Sequence, residues 1–343
     1  MRKLVEYSDG CEGIWTDYVN RSPRATIAHQ IGFRKVIENG LGNKSKYLLV
    51  RDGSTVTGVL PLFEVRTWWQ ASYLISVPWL DYGGICADDV ESERLLLEAA
   101  QKLAVRDKST FIEFRSQDKS HLDLAEMHQK VTFLMDLAPG AEAIWKGMDS
   151  KLRNQIRKSQ NSGLTVQYGG TELLDEFYRV FSWKMHELGT PVWGKKLFRL
   201  VLEEFPQSVE LALVKLGETT VTGALVLSFK GRIYVPSAAS YRKYLKLCPY
   251  HALYWTTIER AAKAGDKFFD FGRSTVDSAT YRFKKQWVKT PTPLEWQYSL
   301  HRISELPQIN PGNPKYSIAK WVWSHMPLTL ANLLGPSVIK NFP

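Results

Sequence analysis

The sequence predicts an α/β protein in which two copies of one structural unit follow each other along the chain. Its 343 residues suggest two domains, at about 150 residues per domain. With 44% apolar and 23% charged residues, the composition is that of a folded protein with a full core. The third observation is an internal repeat in two parts.

Both parts of the repeat occur in the same order in each half of the chain. The hairpin pattern "VRDGSTVTGVL" (50–60) resembles "VKLGETTVTGALVL" (214–227), with a glycine turn before a Val-Thr-Gly strand. The helix-then-strand pattern "LLLEAAQKLAVRDKSTFIEFRS" (95–116) resembles "LYWTTIERAAKAGDKFFDFGRS" (253–274). We therefore predict tandem domains at residues 1–140 and 141–302, followed by a tail at residues 303–343.

The second copy begins with a basic helix. Its apolar residues recur every four positions and form one stripe: Ile144, Met148, Leu152 and Ile156. Arg153 and Arg157 lie on this helix, and no acidic residue occurs between Asp149 and Glu172. These two arginines are candidate ligands for phosphate groups. An ordinary solvated helix face would have the same pattern.

A basic, tyrosine-rich loop precedes the second repeat helix. The segment between Glu218 and Glu259 contains five basic residues and no acidic residue. A basic loop that leads into a helix N-terminus is a good site for an anion. The candidate binding residues in this loop are Tyr241, Arg242 and Tyr244. A solvated loop without a ligand remains an equal alternative.

The segment "FFDFGRSTVDSATYRFKKQW" (268–287) combines a core strand, a glycine turn and a basic, aromatic stretch. It adds Arg273, Tyr281 and Arg282 as candidate binding residues, whereas Asp270 is interpreted as a structural hydrogen-bonding group. Together with "RNQIRKSQNSGLTV", this segment resembles the FemAB-like (Fem-type) transferases. Within that family, the chain is most similar to the subgroup associated with exosortase and exopolysaccharide systems of bacteria.

The resemblance implies two tandem domains of the GNAT acyltransferase fold and acyl transfer to an amine. In the family pattern, the lysine directly after the signature phenylalanine lies at the reacting ester, which implies roles for Lys284 and Phe283. Lys284 would stabilise the developing oxyanion beside an apolar wall formed by Phe283. Asp81 in "VPWLDYGG" matches the family's acidic residue and could accept a proton, although the preceding Arg-Gly-Pro pattern is absent.

The resemblance implies no permanently bound cofactor and an anionic acyl donor, either an aminoacyl-tRNA or an acyl-CoA or carrier thioester. The acceptor would be an amine on a glycan or peptide precursor of the cell envelope, including peptidoglycan or exopolysaccharide. The bulky "YRKYLKLCPY" replaces the usual acetyl-CoA loop, which favours the tRNA or a carrier. Three alternatives remain: a CoA-dependent N-acyltransferase acting on an amino sugar, an RNA-binding module without catalysis, and a membrane-surface scaffold in a polysaccharide assembly, which only the tail suggests.

Charge, cysteines and the tail limit the location and the partners. The net charge of +10 favours an anionic partner. Three separated cysteines and no metal-ligand spacing predict a reducing, cytoplasmic location and no metal site. His186 and His251 are interpreted as hydrogen-bonded core or surface groups. The uncharged segment 321–339 could dock on the body, or it could rest on the inner face of the membrane with Trp321 and Trp323 at headgroup level.

Overall fold

A computed structural model of the chain describes residues 2–117, 120–307 and 314–341. The first ten strands are β1 (Arg2–Glu6), β2 (Lys44–Ser45), β3 (Leu48–Asp52), β4 (Thr55–Leu60), β5 (Phe63–Arg66), β6 (Ser72–Ile75), β7 (Cys86–Ala87), β8 (Phe111–Ser116), β9 (Ala125–Met127) and β10 (Lys130–Thr132). The later strands are β11 (Leu134–Asp136), β12 (Leu164–Gly169), β13 (Val209–Leu216), β14 (Thr219–Phe229), β15 (Arg232–Ser240), β16 (Phe268–Asp270), β17 (Ser274–Thr275), β18 (Thr292–Pro293) and β19 (Glu295–Leu300). The helices are α1 (Glu12–Arg21), α2 (Gly32–Leu41), α3 (Val90–Arg106), α4 (Gly140–Gly147), α5 (Ser150–Asn161), α6 (Leu174–Glu187), α7 (Lys195–Glu204), α8 (Pro249–Ala264), α9 (Ala279–Lys284), α10 (Pro314–His325) and α11 (Leu328–Ile339).

The chain forms two compact units. The first unit comprises Met1–Lys130, Pro293–Ile309 and Lys340–Pro343, and the second comprises Val131–Thr292 and Asn310–Ile339. These bounds differ from the divisions at residues 140 and 302 that the sequence suggested, because the chain returns to the first unit at Pro293. The domain boundaries therefore stay a prediction, and each unit is described by itself.

The first unit contains two sheets, ordered β1-β3-β4-β7 and β2-β5-β6-β8-β19-β9. Neighbouring strands are antiparallel, apart from the parallel pair β6 and β8. Strand β19 lies between β8 and β9, so a strand from late in the chain completes a sheet of the first unit. Helix α3 packs on this unit with its buried Leu96 and Ala100, and Asp89 caps its first turn.

The second unit has a six-stranded sheet ordered β11-β16-β15-β14-β13-β12, in which β15 and β16 are parallel. Successive residues of β13 point to opposite faces. Val214 belongs to the core shared with Leu152 of α5 and Ile258 of α8. Leu213 points to the opposite face, where it lies beside Gly223 of β14. A Cβ on Gly223 would lie 3.0 Å from the Phe177 ring of α6. Helices α5 and α8 therefore cover one face of the sheet, and α6 covers the other.

The two repeated sequence patterns fold into matching elements. The first pattern forms the antiparallel hairpins β3–β4 and β13–β14, which turn at Gly53 and Gly217 with positive φ. The second pattern forms helix α3 with strand β8, and helix α8 with strand β16. Each unit also has one parallel strand pair, β6 with β8 and β15 with β16. The α/β architecture from a duplicated unit is therefore as predicted.

The basic helix differs from its prediction. The four-residue stripe suggested one continuous helix, but the structure has α4 and α5, separated at Met148 and Asp149, whose backbone is extended. Met148, Leu152 and Ile156 are nevertheless buried in one core. A helical stripe can thus persist across a break, because the two short helices pack on the same surface.

Candidate active site

The parallel strands β15 and β16 of the second unit pair over three residues. β15 pairs with β16 over Arg232–Tyr234 only, although β15 continues to Ser240. At the same place its register against β14 shifts, so that Leu225 lies opposite Ser237 and Leu227 opposite Tyr234. The extra residue makes a β-bulge next to Pro236, which has no backbone N–H to donate. The pairing of β15 with β16 therefore ends at Tyr234 and Asp270.

Gly272 lies two residues after the end of β16 and close to β15. Its φ is +73°, and a Cβ there would lie 2.6 Å from the Val235 carbonyl oxygen. The Gly272 N–H donates to Asp270 Oδ1 at 2.8 Å, and that carboxylate oxygen lies 2.5 Å from the Thr132 hydroxyl. Asp270 is fully buried, and these contacts agree with the structural role that the sequence suggested for it. The turn is thus held in place by a buried carboxylate.

Lys284 is anchored on this turn. It is the last residue of α9, whose start is capped by the Ser278 hydroxyl. Only 7% of Lys284 is exposed, and its Nζ donates to the carbonyl oxygens of Gly272 at 2.7 Å and Arg273 at 2.9 Å. Its ammonium group is therefore buried against the turn that follows β16, and not on an open surface.

Phe283 packs in an aromatic cluster beside Lys284. Its ring centroid lies 5.8 Å from Tyr250, 5.3 Å from His251 and 5.6 Å from Tyr254, all of which belong to α8. Trp287 closes the cluster, with its ring 6.0 Å from His251. These contacts fix α9 to the first turns of α8, and they place apolar side chains beside Lys284.

His251 is a notable member of this cluster. It is 7% exposed, and among the residues described neither ring nitrogen has a hydrogen-bond partner. Burial lowers the pKa of His251 to about 4, so the ring is neutral at pH 7. The interpretation of His251 as a hydrogen-bonded group is therefore wrong, whereas His186 does contact the Met326 carbonyl oxygen, at 2.8 Å.

Three of the predicted binding residues line one cleft of the second unit, with a volume of about 1080 Å³. They are Tyr241, Arg242 and Tyr244. Sequence reasoning missed the opposite wall, a stripe on α6 formed by Glu176, Arg179, Trp183 and Glu187. Their spacing of three or four residues places polar groups on one helix face, a signal that could have been recognised.

The cleft carries both signs of charge. Four basic and three acidic residues line it, so it can hold a substrate that has both anionic and cationic groups. A hydrogen bond from Thr220, assisted by Lys215, lowers the pKa of Glu176, which is therefore ionised at pH 7. Arg179 and Arg242 are exposed and form no ion pair with any residue that the structure describes. Their guanidinium groups are available to an anion.

The other predicted binding residues do not join this cleft. Arg153 donates to the Lys146 carbonyl oxygen at 3.0 Å and so caps α4, and Arg157 lies over the Trp145 ring at 5.5 Å. Tyr281 is buried against Phe133, with ring centroids 5.3 Å apart. The remaining two, Arg273 and Arg282, lie next to the Lys284 turn and on α9, with exposed side chains.

Asp81 belongs to the first unit and is buried there. It follows two residues with positive φ, Val77 at +45° and Trp79 at +80°, which is uncommon for such side chains. The loop is held by Arg115, which donates to the Leu80 carbonyl oxygen at 2.8 Å. The role of Asp81 as a proton acceptor stays a prediction.

Comparisons with known proteins agree with this architecture. A family model described as an acetyltransferase (GNAT) domain matches residues 147–285. The structure of FemX has a TM-score of 0.66 at 13% identity, over 93% of this chain and 100% of FemX. The C-terminal domain of a putative lysylphosphatidylglycerol synthetase from Agrobacterium fabrum has a TM-score of 0.57 at 12% identity, over 96% of both chains.

A tandem GNAT protein from the clavulanic acid biosynthesis pathway is also similar. Its TM-score is 0.50 at 12% identity, over 87% of this chain and 97% of that protein. No curated protein sequence matches the chain. At these identities the likeness establishes the fold and no more. The predicted fold class, an α/β protein with tandem GNAT-like domains, is thereby confirmed.

Proposed function

We propose that this protein is an acyltransferase that moves an acyl or aminoacyl group from an ester or thioester donor to an amine on a cell-envelope or exopolysaccharide precursor. The observation that carries this proposal is the Lys284 ammonium, buried against the carbonyl groups of the turn where the pairing of β15 and β16 ends. The GNAT-like fold and the likeness to FemX support the same reaction class.

The reaction needs few special groups. The neutral amine attacks the carbonyl carbon, a C–N bond forms, and the carbonyl oxygen becomes negative. The intermediate then collapses, the C–O or C–S bond breaks, and the proton lost by nitrogen ends on the leaving oxygen or sulfur. A fixed positive charge in a water-poor site stabilises the transient oxyanion. Lys284 supplies that charge, and the half-exposed residues 236–238 of β15 offer backbone groups to an extended donor.

The cleft between α6 and the Tyr241–Tyr244 segment is our proposed binding site for the polar part of a substrate. Trp183 and Tyr241 pack edge to face with centroids 4.9 Å apart, which forms an aromatic platform. Arg179 and Arg242 would bind phosphate or carboxylate groups there. Glu187 and Glu218 would attract an ammonium group. This combination suits an amine-bearing precursor on an anionic carrier.

The donor is the less constrained half of the proposal. The sequence resemblance to Fem-type transferases favours an aminoacyl ester, and the match to an acetyltransferase domain favours acyl-CoA. The basic segment Arg242–Leu247 directly before the N-terminus of α8 suits either donor, because both are rich in phosphate. A CoA-dependent enzyme acting on an amino sugar is therefore the second candidate.

The test is an assay of acyl transfer with purified protein, in which mass spectrometry detects the amide product. Acyl-CoA and aminoacyl-tRNA are offered separately with amino-sugar, peptide and lipid-linked amine acceptors. Arg242→Ala should raise KM by about tenfold, as for the loss of a charged hydrogen bond. Lys102→Ala, which removes an exposed basic side chain of α3 outside the cleft, is its control. RNA binding without any amide product from either donor would refute the proposal in favour of a binding module.

A further inference from the structure

The last two helices present an apolar surface to solvent. We define the tail face by six exposed side chains: Ile318, Trp321 and Val322 of α10, and Leu330, Leu333 and Leu334 of α11. Trp321 is 62% exposed and Leu333 is 75% exposed. Exposed apolar residues that occur singly need no explanation, but the spacing of three and four residues places each trio on one face of its helix, and such exposed apolar stripes indicate a partner.

The two helices are docked on the second unit through a different set of residues. The small residues Ala331 and Gly335 of α11 are buried, and a Cβ on Gly335 would lie 2.9 Å from Val192. Asn332 donates to the Ser182 hydroxyl at 3.4 Å, and His186 contacts the Met326 carbonyl oxygen. Because the inner side of α11 is already occupied, the leucines on its outer side serve no packing purpose within this unit.

The charges around the tail face indicate what covers it. No Asp or Glu occurs after Glu305, and no charged residue occurs between Lys320 and Lys340. A long neutral segment is therefore bounded by cations. A further exposed cation, Lys196 at the start of α7, is close to α11 in the structure. Gly194, two residues before it, packs against Pro336 of α11, since a Cβ on Gly194 would lie 3.3 Å from the Pro336 side chain. The tail of a second copy would bring the same cations and, after Glu305, no acidic residue to pair with them.

We infer that the tail face rests on a bilayer that contains anionic lipids. The leucines of α11 would enter the boundary between headgroups and acyl chains, Trp321 would lie at headgroup depth, and the lysines would contact lipid phosphates. No helix among the residues described is long and apolar enough to cross a membrane. The tail therefore lies on the surface. This inference goes beyond the proposed transferase reaction and does not depend on it.

Co-sedimentation of the full chain with vesicles tests the inference. Vesicles of phosphatidylcholine alone are compared with vesicles that also contain phosphatidylglycerol. We expect binding to the anionic vesicles, weakened by salt. The double change Leu333→Glu with Leu334→Glu should reduce this binding by about tenfold or more, because charge is costly at the interface. Both positions are exposed, so the melting temperature should not change.

The matched control is Val105→Glu, which charges an exposed apolar side chain on α3, outside the tail. It should bind anionic vesicles like the unchanged protein. Absence of vesicle binding by the unchanged protein would overturn the inference, as would equal binding by the double variant. A homodimer in solution that the double variant converts to a monomer would also overturn it, because a second copy would then cover the tail face.

Discussion

Lys284 has two roles that an experiment must separate, because it anchors a turn and in our proposal stabilises an oxyanion. Lys284→Ala leaves the buried carbonyl groups of Gly272 and Arg273 without this donor, so stability should fall by about 1–3 kcal/mol. Turnover should fall by about 100-fold or more. Because Lys284 is buried, its loss should affect folding as well as turnover.

Thermal unfolding and steady-state kinetics measure the two effects, at a temperature where the variant remains folded. Lys285→Ala is the control, since this neighbouring side chain is exposed and should affect neither quantity. Full turnover by a folded Lys284→Ala variant would remove Lys284 from the mechanism. The sequence identified this residue, but its carbonyl partners depend on a turn that only the tertiary structure defines.

His251 should make stability depend on pH. Its folded pKa of about 4 is below the value of 6.5 for an unperturbed histidine, so the unfolded chain binds more protons between these values. Stability from this group is fully present above pH 6.5 and is lost as pH falls toward 4, by at most about 3 kcal/mol. Urea unfolding of the protein and of His251→Phe checks this, because their difference should change over that range. If the free energies of unfolding of the protein and of His251→Phe changed with pH in parallel, the burial of a neutral His251 ring would be contradicted.

At the scale of elements, the junction between β15 and β16 depends on Gly272. Gly272→Ala forces a Cβ against the Val235 carbonyl oxygen in a left-handed backbone, and should cost more than 2 kcal/mol, roughly the strain of the backbone alone. Gly265→Ala has a similar φ of +83° but nothing within 4 Å of the new Cβ, so it should cost only about 1 kcal/mol. Denaturant unfolding measures both, and equal losses would mean that the close approach at Gly272 has no energetic weight.

Local patterns predicted most of these elements. The Val-Thr-Gly hairpins, the helix stop at Gly265 and the proline at the start of α8 follow from residue types and spacing alone. The sequence does not predict the interruption between α4 and α5, because the apolar residues keep their four-residue spacing across the break. For the same reason it does not predict that Arg153 caps α4. Both Arg153 and Arg157 contact α4, and their binding of phosphate stays a prediction.

At the scale of the whole molecule, residues from the end of the chain complete the first unit. A chain that ends at residue 292 lacks β19, the strand between β8 and β9, whereas a chain that ends at residue 307 keeps it. Both shortened chains lack α10 and α11, so the loss of these helices cannot account for a difference between them. We expect amide hydrogens of β8 to exchange slowly in the longer chain and rapidly in the shorter one. Equal protection of β8 in both chains would show that β19 is dispensable.

The return of β19 could not be predicted from the sequence. About 180 residues separate it from β8, and pairing over such a distance depends on tertiary structure that a local pattern does not encode. The cleft was missed in part for the same reason. The loop residues Tyr241 and Arg242 were identifiable by their charge and aromatic character, but Trp183 faces them only once α6 has packed on the sheet.

Hydrogen–deuterium exchange with and without an acyl donor tests the central claim most directly. The proposed site lies where the pairing of β15 and β16 ends, so a bound acyl-CoA or aminoacyl-tRNA should protect residues 234–240 and 270–274. The account predicts protection of both segments by at least one donor, and its loss in Gly272→Ala. Protection confined to other parts of the chain, with unchanged exchange in these two segments, would contradict it.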